Sequence, residues 1–123
     1  MSLINAMMGN ASSVNPESIQ NEFNSILIQG ENIVRAYKLF RDMMVFTNKR
    51  LIMVDKQGLT GSKVEYMTIP YKSIKMFSKE NSGTFDMDEE LTIHVHGYPP
   101  IKKKFKRGSC LDEVYQTLSS ATL

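Results

Sequence analysis

Residues 43–54 read Met43-Met44-Val45-Phe46-Thr47-Asn48-Lys49-Arg50-Leu51-Ile52-Met53-Val54. Two apolar runs, Met43–Phe46 and Leu51–Val54, flank the polar Thr47–Arg50. The pattern predicts two antiparallel strands joined at Asn48-Lys49, with Asn48 supplying the positive φ of a tight hairpin turn. Both runs are apolar at every position, so both faces of the hairpin need cover. A small barrel has one inner face. The outer face must be covered by an N-terminal helix, by another subunit, or by both. Methionines suit an adaptable contact of this kind. Ile19, Phe23, Ile26, Leu27, Met43, Val45, Ile52 and Val54 are therefore the expected oligomer interface.

The chain on either side of the hairpin supplies the rest of the architecture. Residues 1–14 are small, amide-rich and without strong periodicity, so they are expected to form an arm or a short helix. Asn15-Pro16-Glu17 reads as a helix start: a cap, a proline at the first helical position and an acid at the positive dipole end. Ile19, Phe23, Ile26 and Leu27 fall on one helical face, and Gly30 reads as its stop. Strands are expected over 33–41, 63–71, 73–78, 91–96 and 101–107, in addition to the hairpin. Gly58–Gly61 reads as a turn and Asp86–Glu90 as an acidic loop. Ser109-Cys110-Leu111-Asp112 has the form of a capping box. Leu111, Val114, Tyr115 and Leu118 then make the apolar stripe of a closing helix. The fold class is mainly β: a small barrel of about seven antiparallel strands plugged by a C-terminal helix. An arm and helix over 1–30 and a barrel over 31–123 form one domain.

At 123 residues the chain is long enough for one modest core. Residues 1–34 carry no Lys or Arg and three acids, Glu17, Glu22 and Glu31; the remainder carries all 15 basic residues against 10 acids. The two parts are therefore −3 and +5, and the net charge of +2 is too small to argue for nucleic acid. Cys110 is the single cysteine, so no internal disulfide is possible. That fits a cytoplasmic location. No apolar run approaches the roughly 20 residues that span a bilayer, and no basic region precedes the first apolar stretch as in a secretory signal. Met8-Gly9-Asn10-Ala11-Ser12-Ser13 has the form of a myristoylation site, but that chemistry needs a terminal glycine and Gly9 is internal.

Several motifs in order carry a family resemblance. Gly9-Asn10-Ala11-Ser12, Gly30-Glu31, Tyr37-Lys38 and Arg41-Asp42 open it. Phe46-Thr47-Asn48-Lys49-Arg50-Leu51-Ile52, Asp55-Lys56-Gln57-Gly58-Leu59-Thr60-Gly61, Ile69-Pro70-Tyr71, Gly83, Asp86-Met87-Asp88 and Glu90-Leu91 continue it. This series resembles the bacterial pleckstrin-homology-like domains over nearly the whole chain. The resemblance implies a pleckstrin-homology fold in a bacterial, cytoplasmic protein. It also implies a homo-oligomer larger than a dimer, possibly a ring, with no assigned ligand or protein partner. The eukaryotic relatives bind inositol phosphates through a long basic loop between their first two strands. Here Arg41-Asp42-Met43 leaves almost no loop, so such a cradle is not expected.

Candidate chemistry is sparse. Lys102, Lys104 and Lys106 share one face of the last strand, with Arg107 at its end. This strip is either a solvated edge, where lysines discourage unwanted pairing, or a site for an anionic surface. Nucleic acid is not expected, since no aromatic platform is interleaved with the charges. His94 and His96 lie two apart on a strand face. They lack an evident third ligand and are expected to adjoin the lysines, which disfavours a metal. The acids at 86–90 lack the spacing of a calcium loop. Gly58–Lys63 has too few residues between its glycines for a phosphate loop. Cys110, at a helix start, has no partnered base, and no serine nucleophile motif is present. The expected function is a non-enzymatic oligomerisation and interaction module without cofactor or metal. Weak binding of anionic lipid or an acidic ligand by the strip is the alternative.

Overall fold

Strict alternation along the hairpin builds two apolar layers at once. In the computed structural model, which describes residues 12–57, 62–81, 83 and 88–123, Met44, Phe46, Leu51 and Met53 point to one side of the sheet. Met43, Val45, Ile52 and Val54 point to the other, and all eight are buried. The pairing register matches: Met44 faces Met53 and Phe46 faces Leu51 on one side, while Met43 faces Val54 and Val45 faces Ile52 on the other. A strand that is apolar throughout belongs in the middle of a three-layer structure, and the hairpin occupies that place.

The described elements run β1 (Ser12–Val14), α1 (Pro16–Phe23), β2 (Ile33–Lys38), β3 (Asp42–Thr47), β4 (Arg50–Gln57) and β5 (Lys63–Pro70). After a turn of 3-10 helix at Tyr71–Ser73 come β6 (Ile74–Glu80), β7 (Asp88–Val95), β8 (Ile101–Lys106) and α2 (Leu111–Thr122). The strands form a five-stranded antiparallel sheet, β1-β2-β3-β4-β5, and a three-stranded one, β6-β7-β8. Between the sheets lies the main core. Tyr37, Met44, Phe46, Leu51, Met53 and Ile69 of the first sheet pack on Leu91, Ile93 and Phe105 of the second, with Leu111, Val114 and Leu118 of α2. On the far side of the first sheet, Ile19 and Phe23 of α1 cover Ile33, Ala36, Met43, Val45, Ile52 and Val54. Ala36, directly under the helix, is small enough to let it lie close.

Four expectations need correction. Among the described residues no strand of one sheet pairs with a strand of the other, so the fold is a sandwich closed at one end by α2 and not a continuous barrel. Ser12–Val14 is an edge strand paired with Ala36–Lys38, where only an arm or helix was expected. Two serines and a valine give too short a pattern to betray a strand. The acidic stretch is not all loop, for Asp88–Glu90 pair with Lys104–Lys106 at the start of β7. Finally, α1 stops at Phe23, whose carbonyl accepts from both Ile26 N and Leu27 N at 2.9 Å. Ile26 and Leu27 continue the apolar pattern from a turn and not from the helix.

Caps follow the sequence at one helix and not at the other. Asn15 Oδ1 accepts from Glu17 N at 3.0 Å and Pro16 opens α1, as expected. At α2 the capping residue is Cys110, with no side-chain cap, and the buried Ser109 hydroxyl has no protein partner among the described residues. Asp112 instead takes Lys79 from β6. The turn expected at Gly58–Gly61 lies outside the described residues, as do Asp86 and Met87.

Both apolar layers should contribute to stability. Leu118→Ala, in the main core, is expected to cost about 2–5 kcal/mol, and Phe23→Ala, under α1, about 3–5 kcal/mol. Urea melts of the two variants measure this. A negligible cost for Phe23→Ala would mean that α1 is not part of the cooperative fold.

Candidate interaction surfaces

The polar turn Thr47–Arg50 is the fastening point of the fold. Arg50 forks onto Glu31, with Nε donating to Oε2 at 2.8 Å and Nη2 to Oε1 at 2.9 Å. The guanidinium also donates to Ile26 O at 2.8 Å and Thr68 Oγ1 at 2.9 Å. Thr47 Oγ1 donates to Glu31 Oε2 at 2.6 Å and accepts from Lys49 N and Arg50 N, both at 3.0 Å. Ile28 N donates to Glu31 Oε1 at 3.1 Å. The Glu31 side chain is wholly buried and Arg50's is 18% exposed. A buried carboxylate costs several kcal/mol unless paired and hydrogen-bonded, and this one has both forms of compensation. The Arg50 bonds, helped by Thr47 and Ile28, outweigh burial and hold the Glu31 carboxyl down at about 2.

Asn48 serves this fastening in a way the sequence did not suggest. No non-glycine residue among those described has positive φ, so Asn48 is not there for its backbone. Its side chain acts as a peptide mimic: Oδ1 accepts from Asn32 N at 2.9 Å and Nδ2 donates to Gly30 O at 3.0 Å. Tyr71 adds a third tie, its hydroxyl donating to Thr47 O at 2.6 Å while burial raises its pKa. The two motifs Gly30-Glu31 and Thr47–Arg50 are thus halves of one structural clasp, which engages the side chains of Glu31, Thr47, Asn48 and Arg50.

The residues expected at an oligomer interface lie inside the chain. Ile19, Phe23, Met43, Val45, Ile52 and Val54 are buried against one another, and Ile26 and Leu27 are half-buried beside them. Of the covers the hairpin needed, the N-terminal helix supplies this one. Exposed apolar groups stand elsewhere, at Phe40 in the β2–β3 turn and at Val64 and Tyr66 on β5.

The lysine strip divides. Lys102, Lys104 and Lys106 are exposed on one face of β8, but they stand across from Thr92, Glu90 and Asp88. His94 and His96 lie beyond the end of that pairing, with no residue of β8 directly opposite them. Lys106 Nζ lies 3.6 Å from Asp88 Oδ1, and Arg107 donates to Gly83 O at 2.8 Å. The carboxylates that compensate the strip belong to the stretch assigned to a loop from sequence. At the other end Lys102, Lys103 and Lys104 meet Arg41 and Lys56 around a depression of about 330 Å³. Asp42 and Asp55 face each other there across β3 and β4, and Lys103 binds Asp42 at 2.6 Å. Five cations against two acids leave this end basic, and Phe40, 65% exposed, stands at its rim. Only Leu39, Phe40 and Arg41 join β2 to β3, so the site is shallow.

A second concavity of about 550 Å³ lies between β2, the hairpin turn and α2. Val34 and Arg35 form one wall, Glu113, Gln116 and Ser120 the other, and Phe46 contributes to the floor. No group of three His, Cys, Asp or Glu able to hold a metal is found among the described residues. Cys110 is half-buried, and burial pushes its thiol up to about 11. The helix start therefore does not activate it.

Comparison with known proteins follows the geometry. The model of the bacterial PH domain family matches residues 2–122. The chain belongs to this family. YjqA, an uncharacterised protein of Bacillus subtilis (strain 168), is 44% identical over 125 residues, covering 100% of each chain. A crystal structure of a pleckstrin-homology domain from Shewanella amazonensis SB2B is 45% identical and superposes with a TM-score of 0.82, covering 99% of both chains. A protein with a pleckstrin-homology domain from Shewanella loihica PV-4 is 44% identical, with a TM-score of 0.82, covering 94% of this chain and 99% of its own. The fold of this PH domain is thus settled, and no enzymatic family is indicated. No described helix is long and apolar enough to cross a membrane.

The clasp makes stability depend on acid. Because folding lowers the Glu31 pKa from 4.5 to about 2, its contribution is complete above pH 4.5 and is lost as pH falls through about 2. The contribution is about 3 kcal/mol. Urea melts between pH 7 and pH 2 should lose this much in the wild type. Glu31→Gln should be less stable at pH 7 and lack this slope. A parallel pH dependence in both proteins would assign the acid lability to other carboxylates.

Proposed function

We propose that this PH domain is a non-enzymatic interaction module that assembles with copies of itself through the open edges of its larger sheet. One observation carries the reading. The five-stranded sheet ends on two unlike edges, the three-residue β1 and the eight-residue β5. All of β5 except Met67 and Ile69 is exposed. A long open edge is a template for another strand. Two unlike edges on one sheet favour a head-to-tail contact, which closes into a ring and not a two-fold dimer. The apolar hairpin takes no part in this assembly, because α1 covers it.

A second reading rests on Phe40. An exposed aromatic ring beside five cations suits the surface of an anionic membrane, the ring entering the headgroup layer and each cation adding about 1 kcal/mol. This relocates the anionic contact from the whole lysine strip to the end shared by Lys102, Lys104, Lys56 and the β2–β3 turn. Lys106 and Arg107 stay outside it.

Two measurements test these readings. Pro70 pairs with Arg50 in an unbroken register and has no N–H, so Val64, in the same phase, directs its own N–H away from β4. Val64→Pro therefore removes an outward donor and spares the ladder. Light scattering at micromolar concentration should give a mass above a dimer for the wild type and a smaller one for Val64→Pro. A monomeric wild type rejects assembly. For the second reading, the wild type should sediment with phosphatidylserine vesicles at low salt. Phe40→Ser with Lys102→Glu and Lys104→Glu should not, whereas Lys106→Glu should. Wild-type protein left in the supernatant rejects it.

A further inference from the structure

The cleft between β2 and α2 is built differently from the rest of the surface. Ile33 pairs with Thr47 and Arg35 with Phe46, so Val34 is an extra residue, a bulge in β2. Bulges redirect side chains and cluster beside binding sites. Here Val34 and Arg35, adjacent in sequence, both line the same cleft, which ordinary strand alternation would forbid. β1 pairs only as far as Ala36, and Asn15-Pro16 then turns the chain away into α1. Among the described residues, no strand pairs with the flank of β2 beside Val34 and Arg35.

The walls are rigid and their polar groups are divided in use. Tyr71 is tied to Thr47 O, Asn48 to Gly30 and Asn32, and Thr117 to Tyr37 and Glu113 O. Arg35, Glu113, Gln116 and Ser120 have side chains that make no hydrogen bond or ion pair with another described residue. Arg35 and Glu113 carry opposite charges on opposite walls, and both act electrostatically on the Tyr37 phenol, Glu113 raising its pKa and Arg35 lowering it. Val34, 49% exposed, adds apolar surface between them, above the buried Phe46 ring. Locked walls with a few uncommitted polar groups are the form of a preorganised site.

We propose that this cleft binds a short extended peptide segment of mixed charge, one acidic side chain meeting Arg35 and one basic side chain meeting Glu113, with an apolar residue between them over Val34. The proposal is independent of assembly and of the Phe40 surface. The bulge spoils a regular ladder, so recognition is by side chains and not by strand addition. A segment bearing both signs complements both walls, whereas a purely acidic or purely basic one would be repelled by one of them.

The test is a random peptide library displayed on phage and panned against the wild-type chain, followed by titration of the enriched peptides into isotope-labelled protein. Enriched peptides should carry an acid and a base flanking an apolar residue and should shift the amides of Val34, Arg35 and Glu113–Ala121 saturably. Arg35→Glu and Glu113→Lys should each weaken binding about tenfold or more. The double reversal, Arg35→Glu with Glu113→Lys, should recover binding for peptides with the two charges exchanged. Ser120→Trp, at an exposed helix position, should fill the cleft and abolish binding while the protein keeps its folded spectrum. No enrichment overturns the proposal. So does enrichment of peptides that bind these variants as well as the wild type, or that shift amides elsewhere. A concentration-dependent loss of the same amide signals without peptide would assign the cleft to a second copy and overturn it too.

Discussion

The ion pair between Glu31 and Arg50 is the constraint on which the other features depend. It is a bidentate contact between a fully buried carboxylate and a largely buried guanidinium. Around it the 26–32 segment, the β3–β4 turn and β5 converge on two side chains, through Ile26 O, Ile28 N, Thr47 and Thr68. That segment connects α1 to the first strand of the central hairpin layer. Fixing it aims α1 at the outer face of the sheet. Such a pair is expensive to leave half-made, so its role is to define one arrangement of the loop and not merely to add stability.

From this fixed point the distribution of surfaces follows. Because the 26–32 loop is anchored, eight residues of helix suffice to carry Ile19 and Phe23 over the outer apolar face. That face is then spent within the chain. The surfaces proposed for partners lie at the margins of the sandwich: the edge strand β5, the basic end at Phe40 and the cleft beside α2. β5 and α2 pack on the core, and Phe40 stands in the short turn between two core strands, which is where a small domain can vary its contacts without loss of fold.

Much of this was legible in the sequence. The hairpin, the caps and proline of α1, the alternation of Leu91–Val95 and the stripe Leu111, Val114, Leu118 each announce their element through one dominant periodicity. Where the reading failed, the deciding term was not periodic. Asn48 looked like a residue chosen for positive φ, but its amide binds Gly30 and Asn32, 18 and 16 residues away. Glu31 stood out only as one of three acids in the first 34 residues and as part of the Gly30-Glu31 motif, and nothing local says that it is buried under Arg50. The acids Asp88 and Glu90 are strand residues because Lys106 and Lys104 lie opposite, a pairing that composition hides within a loop-like run. A doubly apolar hairpin needs a cover on its outer face, and α1 supplies it. Pattern alone could not say whether that cover comes from the same chain.

The most direct test of this account is a double-mutant cycle on Glu31 and Arg50, read by urea unfolding at pH 7. Glu31→Gln and Arg50→Met should each cost about 3–5 kcal/mol, because each strands a buried partner. The double variant should cost little more than either alone, giving a coupling of several kcal/mol. Additive losses would show two side chains acting separately, and would contradict the claim that one buried pair fastens the fold.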